Sequence, residues 1–196
     1  MASLLYGSGL HLSECLSLRI RDIDFDQNRI CITEDRTQKN RKTILPTSLR
    51  QKIKNQISHA KWMYEHCISD KHFIGVSLPD NVKQKYPNAV KKLEWQYLFP
   101  SKKHDIDSLS GTFIQQHHDV SFLQKEVKKA ILKAGITYKK VSCRTFRHSF
   151  AAHLLENGCS IKIVQKLLGH KNTRTTMIYN RVLHTDEQKI KSPLDI

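Results

Sequence analysis

Three glycines, Gly135, Gly158 and Gly169, cut the last third of the chain into four short helical segments. Helices that short are marginal alone and must hide their apolar sides against one another. In the first, Ser121 and Gln124 have capping-box spacing. Its stripe is Leu123, Val127, Ile131 and Ala134, with Lys125, Lys128, Lys129 and Lys133 off it. The second, Thr145 to Asn157, carries Phe146, Phe150 and Leu154 and stops at Gly158. The third follows Ser160 as cap, with Ile161, Val164, Leu167 and Leu168 inside, and ends at Gly169. The last covers about Thr173 to Val182, and the polar tail from Leu183 to Ile196 reads as extended.

The first third has a different period. Leu4, Leu5 and Tyr6 run into Gly7-Ser8-Gly9, and Ser13 caps a short helix holding Cys15, Leu16 and Leu18. A helix over Met1 to Tyr6 is too short to open a domain by itself, so the expectation is a chain shortened at its N-terminal side. Ile20, Ile23 and Phe25, Arg29 to Thr33, and Lys42 to Leu45 are β-branched and near alternation, as in strands. They predict a small antiparallel sheet whose basic hairpin tip is Thr33 to Arg41. After Pro46, Thr47 or Ser48 caps a helix with the stripe Leu49, Ile53, Ile57, Ala60 and Tyr64. From about residue 65 to 120 the pattern weakens among Pro79, Pro87 and Pro100, and Tyr86, Trp95, Tyr97 and Phe99 cluster. This stretch reads as an insertion with one short helix, Asn81 to Glu94. The predicted class is mainly α with a small antiparallel β-sheet.

Charge narrows the partner. Lys and Arg total 33 against 18 acids, a formal charge of +15, which points to a polyanion and first to nucleic acid. No apolar run reaches the roughly 18 residues of a membrane span, and the first 18 residues lack a secretory pattern. The five cysteines are scattered, odd in number and without a CxxC pair, so they read as core residues of a reducing compartment. A cytoplasmic, nucleic-acid-binding protein without a zinc framework is expected.

Taken singly, the chemistry-bearing residues are ambiguous. Arg144 and Arg147 share a helix face, as a phosphate clamp or a solvated basic face would. His170 after Gly169 can serve a helix C-terminus. Tyr179 alone reads as a half-buried core residue.

Their order is more informative. Arg144-Thr145-Phe146-Arg147-His148, then Gly158, then Leu167-Leu168-Gly169-His170, then Thr175-Thr176-Met177-Ile178-Tyr179, closely resembles the catalytic core of tyrosine recombinases. Gly7 to Glu14, Asp22-Ile23-Asp24 and Arg41 to Pro46 extend the resemblance over essentially the whole chain. Lys85 to Ala89, Glu94 to Ser101, the pair His117-His118 and the ending Ser192-Pro193-Leu194-Asp195 look like integron integrases. In that branch the insertion helps grip folded single-stranded attachment sites.

The resemblance implies a recombinase catalytic domain over residues 1–196, an absent N-terminal core-binding domain and a homo-tetramer on DNA. It implies attack by the Tyr179 hydroxyl on a DNA phosphate, giving a 3′-phosphotyrosyl link without metal or nucleotide. Arg147 then matches the second family arginine and His170 the late histidine, while His148 matches a structural position. Candidate DNA contacts are Arg41, Lys128, Lys171, Arg174, His117, His118 and Trp95. Trp95, Tyr97 and Phe99 either stack on bases or pin the insertion to the core, and pinning is the favoured role for Trp95 and Phe99.

Three positions depart from the family pattern. His11 stands where it has its first arginine, Arg144 where it has a histidine, and Arg36, with Lys39 nearby, where it has a hairpin lysine. Histidine lacks arginine's permanent, two-pronged charge, and losing one transition-state donor costs about 100- to 1000-fold in rate. Arginine at 144 or 36 cannot exchange a proton near neutral pH. The expected function is therefore site-specific DNA recombination with weak or no strand cleavage. The alternative is a non-catalytic DNA-binding remnant. A metal-dependent nuclease lacks the acidic cluster it would need.

Overall fold

The computed structural model describes residues 1–33, 40–137, 140–182 and 192–195. Tertiary contacts divide the chain into two units. One comprises Met1–Cys15, Asp24–Arg50 and Val120–Ile196, the other Leu16–Ile23 and Gln51–Asp119.

The helices of the first unit are α1 (Ala2–Ser8), the start of α2 (Leu12–Ser17), α5 (Val120–Lys133), α6 (Cys143–Glu156), α7 (Ile161–Leu168) and α8 (Thr173–Thr176). A 3-10 segment over Met177–Val182 follows α8. The strands β1 (Ile23–Asp24), β2 (Arg29–Thr33) and β3 (Asn40–Ile44) form a sheet in that order, with β2 and β3 antiparallel. Ile30 and Ile32 turn inward on alternate positions of β2, as a half-buried strand requires.

The core of this unit is Phe150, Ala151, Leu154, Leu155, Cys159, Val164, Leu168 and Tyr179. The stripes of α6 and α7 meet there, and Gly158 and Gly169, both at positive φ, end those helices where the sequence predicts. Ser142 and Thr145 make the capping box that starts α6, and the Ser142 amide donates to Thr145 Oγ1 at 3.0 Å. The helix thus opens earlier than the Thr145 start expected. Ser121 lies inside α5 rather than at its cap, Ser13 lies inside α2, and Ala134 is exposed.

Gly9 has φ 63° at the end of α1, and a Cβ there would stand 2.4 Å from Phe150 Cδ1. Only glycine permits both the left-handed backbone and this close approach. The Tyr6 hydroxyl meets His153 Nδ1 at 2.8 Å, and Thr43 Oγ1 donates to the Ser8 carbonyl at 2.7 Å. Of the tail expected to be extended, residues 183–191 and 196 lie outside the described residues, while 192–195 make a turn on this unit. Ser192 Oγ donates to the Gly7 carbonyl at 2.8 Å, and the Asp195 carboxylate accepts the Thr47 and Ser48 amides at 2.7 and 2.9 Å.

The second unit holds most of α3 (Arg50–Ile68), whose inward face includes Ile53, Ala60 and Cys67. It also corrects the reading of residues 65–120. Instead of one helix from Asn81 to Glu94, α4 spans only Asp80–Lys85, and 3-10 turns over Pro87–Lys91 and Leu93–Trp95 follow. Pro87 forces the break, since its ring excludes a helix interior. The same stretch builds a second sheet of β4 (Phe73–Val76), β6 (Phe113–His117) and β5 (Pro100–Ile106), in that spatial order. β4 and β6 are parallel, so this sheet is mixed. All five cysteines are free thiols, and only Cys31 is not buried.

Gly9→Ala should lower the unfolding free energy by roughly 2–4 kcal/mol, the combined cost of αL strain and overpacking. Gly111→Ala, with φ 66° but nothing within 4 Å of the new Cβ, should cost about 1 kcal/mol. Urea unfolding of the two variants separates the contributions, and equal losses would contradict the Phe150 contact.

Candidate active site and nucleic-acid interface

Arg147 projects from α6 into the first unit and is 5% exposed. Its Nη1 donates to the Gly9 carbonyl at 2.5 Å and its Nη2 to the Leu168 carbonyl at 2.6 Å. Glu14 Oε2 lies 3.8 Å away. Burial and the neighbouring Arg41 bring its pKa down to about 10, against support from Glu14 and Tyr179. It remains cationic at neutral pH.

Glu14 gathers the basic residues around it. Its Oε2 accepts from Arg41 Nη2 at 2.5 Å and from the His11 amide at 2.7 Å. Arg41 Nη1 also donates to the Leu167 carbonyl at 2.5 Å. Gly169 makes this possible, because a Cβ there would meet Arg41 Cδ at 2.5 Å. Arg41 therefore both braces the end of α7 and lines a cleft of about 470 Å³, with His11, Gln165, His170 and Lys171 on its other walls. A second cleft of about 840 Å³ is lined by His11, Lys128, Lys140, Arg144 and Arg147 together with apolar residues of α5. His11 borders both.

His170 Nδ1 lies 2.9 Å from Thr176 Oγ1, a hydroxyl fully shielded from solvent. Burial is the main cause that lowers its pKa to about 4, followed by repulsion from Arg147, His11, Arg41 and His148. His11 and His148 are lowered for the same reasons, with burial first and then Arg147 for His11 and Arg144 for His148. Histidines crowded by arginines stay neutral until an anion arrives.

Tyr179 is 8% exposed and packs with Phe150, Leu154 and Leu168. Its hydroxyl stands 2.5 Å from His148 Nδ1. Burial raises the phenol pKa, and Arg147 opposes the rise. Arg147 thus acts electrostatically on both His170 and Tyr179, so the three residues singled out in the sequence share one charged environment.

The remaining candidates are placed as follows. Arg144 is exposed on α6, and Lys171 and Arg174 are exposed near α8. Arg174 has its amide bonded to the Asn172 side chain at 2.8 Å, starting that helix. Arg36 and Lys39 lie outside the described residues. In the second unit Arg21 covers the Trp95 ring at 3.9 Å. Tyr97 and Phe99 are buried, which removes them as base-stacking surfaces. Tyr97 has Arg19 over its ring at 4.6 Å and meets His117 edge-on at 5.0 Å. His117 Nδ1 lies 2.7 Å from the His118 carbonyl oxygen, and both histidines are partly exposed. Among the described residues no group of three His, Cys, Asp or Glu is placed to hold a metal ion, and no helix is long and apolar enough to cross a membrane.

Sequence reasoning gave two residues no part in the site. Glu14 is an acid one helical turn from His11 amid basic residues, a signal that was available. The contact of His148 with Tyr179 joins residues 31 positions apart and had no local signature.

Comparison with known proteins places this site in context. The model of the phage integrase family matches residues 1–186. An integrase/recombinase of Escherichia coli is 41% identical over 198 residues, covering 99% of this chain and 57% of that protein. Tyrosine recombinase XerA of Pyrococcus furiosus is 32% identical over 179 residues, covering 91% of this chain and 48% of that protein. The chain spans about half the length of the curated relatives it matches. XerH recombinase bound to palindromic difH substrate, in a post-cleavage complex, superimposes with a TM-score of 0.60 at 23% identity. That match covers 92% of this chain and 40% of that one, and supports the fold. With its helical core, its small sheet and the ordered series Arg147, His170 and Tyr179, this chain belongs to the phage integrase family of tyrosine recombinases.

Proposed function

We propose that this chain takes part in site-specific DNA recombination, with the Tyr179 hydroxyl as nucleophile and a 3′-phosphotyrosyl intermediate. The observation that carries the reading is that Arg147 reaches the Leu168 carbonyl, two residues before His170, while Tyr179 packs with Leu168 in the same core, in a chain of this family. A phosphate beside them would be polarised by Arg147, held against Glu14 and two backbone carbonyls. Such fixed donors stabilise the pentavalent transition state without reorganising. Lys128, Arg144, Lys171 and Arg174 would contact flanking phosphates, whose many weak contacts position the duplex. His117, His118 and the exposed part of Trp95 would meet unpaired bases if the substrate is a folded single strand of the integron kind. Four copies on two sites complete the family-type assembly.

Cleavage is expected to be slow. His11 offers a neutral imidazole in place of a guanidinium, and Arg144 cannot shuttle protons. The substitutions at 11 and 144 also favour a second reading, a DNA-binding remnant that no longer cuts. Tyr179→Phe separates the two. A nicked DNA substrate should yield a covalent adduct on a denaturing gel with the parent chain and none with the variant, whereas the remnant yields none with either.

Installing arginine at 11 and histidine at 144 tests whether these positions act together. His11→Arg alone should raise the adduct rate by about 100-fold, the worth of one such donor. The double change should exceed the product of the two single changes, and a double variant no faster than the better single one would count against coupling.

Binding should also depend on pH. His170, His11 and His148 are all neutral in the free chain, and a nearby phosphate favours their protonation. DNA binding then takes up protons, so affinity should rise as pH falls from about 7.5 to 6. Fluorescence anisotropy at constant ionic strength measures this, and a flat profile would mean that the phosphates bypass the histidines.

A further inference from the structure

We propose that His148 is the proton acceptor for Tyr179, a catalytic role for a residue whose place in the sequence suggests only structure. The inference rests on the cleavage reading above and deepens it. The Tyr179 hydroxyl lies 2.5 Å from His148 Nδ1, and the two rings are 5.6 Å apart between centroids at an interplanar angle of 52°. A general base must stand within hydrogen-bond reach of the proton it takes, and this one already does.

Nδ1 accepts only when it carries no proton, which requires the Nε2–H tautomer of neutral imidazole. The surroundings favour the neutral ring, since partial burial, then Arg144 and Arg147 on α6, disfavour imidazolium. Tyr179 faces the ring from the 3-10 segment, and His170, just beyond α7, is near enough to feel its charge. Neither arginine can take a proton. His170 has its own Nδ1 on Thr176. The histidine absent from position 144 thus has a substitute on the same helix, four residues further on.

The step balances. A bond forms between the Tyr179 oxygen and phosphorus as the bond from phosphorus to the 5′-oxygen breaks. The phenolic proton passes to His148 Nδ1, and the departing oxygen takes a proton from water. The resulting imidazolium neutralises the hydroxide left behind. In the reverse step water protonates His148, the hydroxide so formed takes the proton of the attacking 5′-hydroxyl, and His148 gives its proton to the leaving phenolate.

The probe is thymidine 3′-(4-nitrophenyl phosphate), whose leaving group departs without protonation. Only proton removal from the nucleophile is then tested. The chain should release one equivalent of 4-nitrophenolate and acquire a thymidylyl group on Tyr179, located by mass spectrometry. The rate should fall on the acid side as His148 protonates. His148→Gln, which keeps a hydrogen-bond acceptor but no base, should slow the burst by about 10²–10⁴-fold and flatten that limb. His148→Ala should be equally slow and regain rate with added imidazole, an outcome misfolding would not produce. Adduct formation by His148→Gln within threefold of the parent, with its acid limb intact, overturns the role of His148 and leaves cleavage standing, and so does a His148→Ala variant that imidazole does not rescue. No adduct from the parent chain on the probe or on nicked DNA overturns the cleavage reading and the proton transfer with it.

Discussion

The site depends on one buried cation. Arg147 can stay charged beneath the surface because its two terminal nitrogens donate to the Gly9 and Leu168 carbonyls and a carboxylate lies close by. A buried charge stripped of such partners costs several kcal/mol, on the order of 3–5 when one partner of a pair is removed. The bonds also do structural work, since each ends at a helix terminus. Gly9 closes α1 and Leu168 is the last residue of α7, so the guanidinium fixes two helix ends relative to α6. Glu14 and Arg41 extend this network to β3.

The same concentration of positive charge explains the behaviour of the histidines. Each imidazole near Arg147, Arg144 or Arg41 is held neutral, so the site waits as fixed cations gathered on the Glu14 carboxylate, with uncharged imidazoles beside them. An approaching phosphate changes that balance. Under the proposed function the site would gain charge on binding a DNA phosphate, and binding would then respond to protons as well as to salt.

How much of this was legible in the sequence varied with the range of the interactions. The helices from 143 to 176 were visible because their apolar stripes and glycine stops are local. The second sheet was not. β5 reads Pro-Ser-Lys-Lys-His-Asp-Ile with five exposed residues in a row, so no alternation marks it, and β4 pairs in parallel with a strand about forty residues away. Tyr97 and Phe99 read as stacking surfaces or as pins, and tertiary packing turned both inward. Motif order singled out Arg147, His170 and Tyr179 as candidate site residues. The contacts of Glu14 with Arg41 and of His148 with Tyr179 join residues that only folding brings near.

The cysteines carry a practical consequence. Burial pushes the thiols of Cys15 and Cys159 to about 12 and about 11, and those of Cys67 and Cys143 also rise, so none of the four forms a ready thiolate. Cys31, partly open on β2 opposite Lys42, is the remaining thiol. A maleimide dye would therefore attach at a single position on the sheet, giving a built-in reporter without any engineering of the chain.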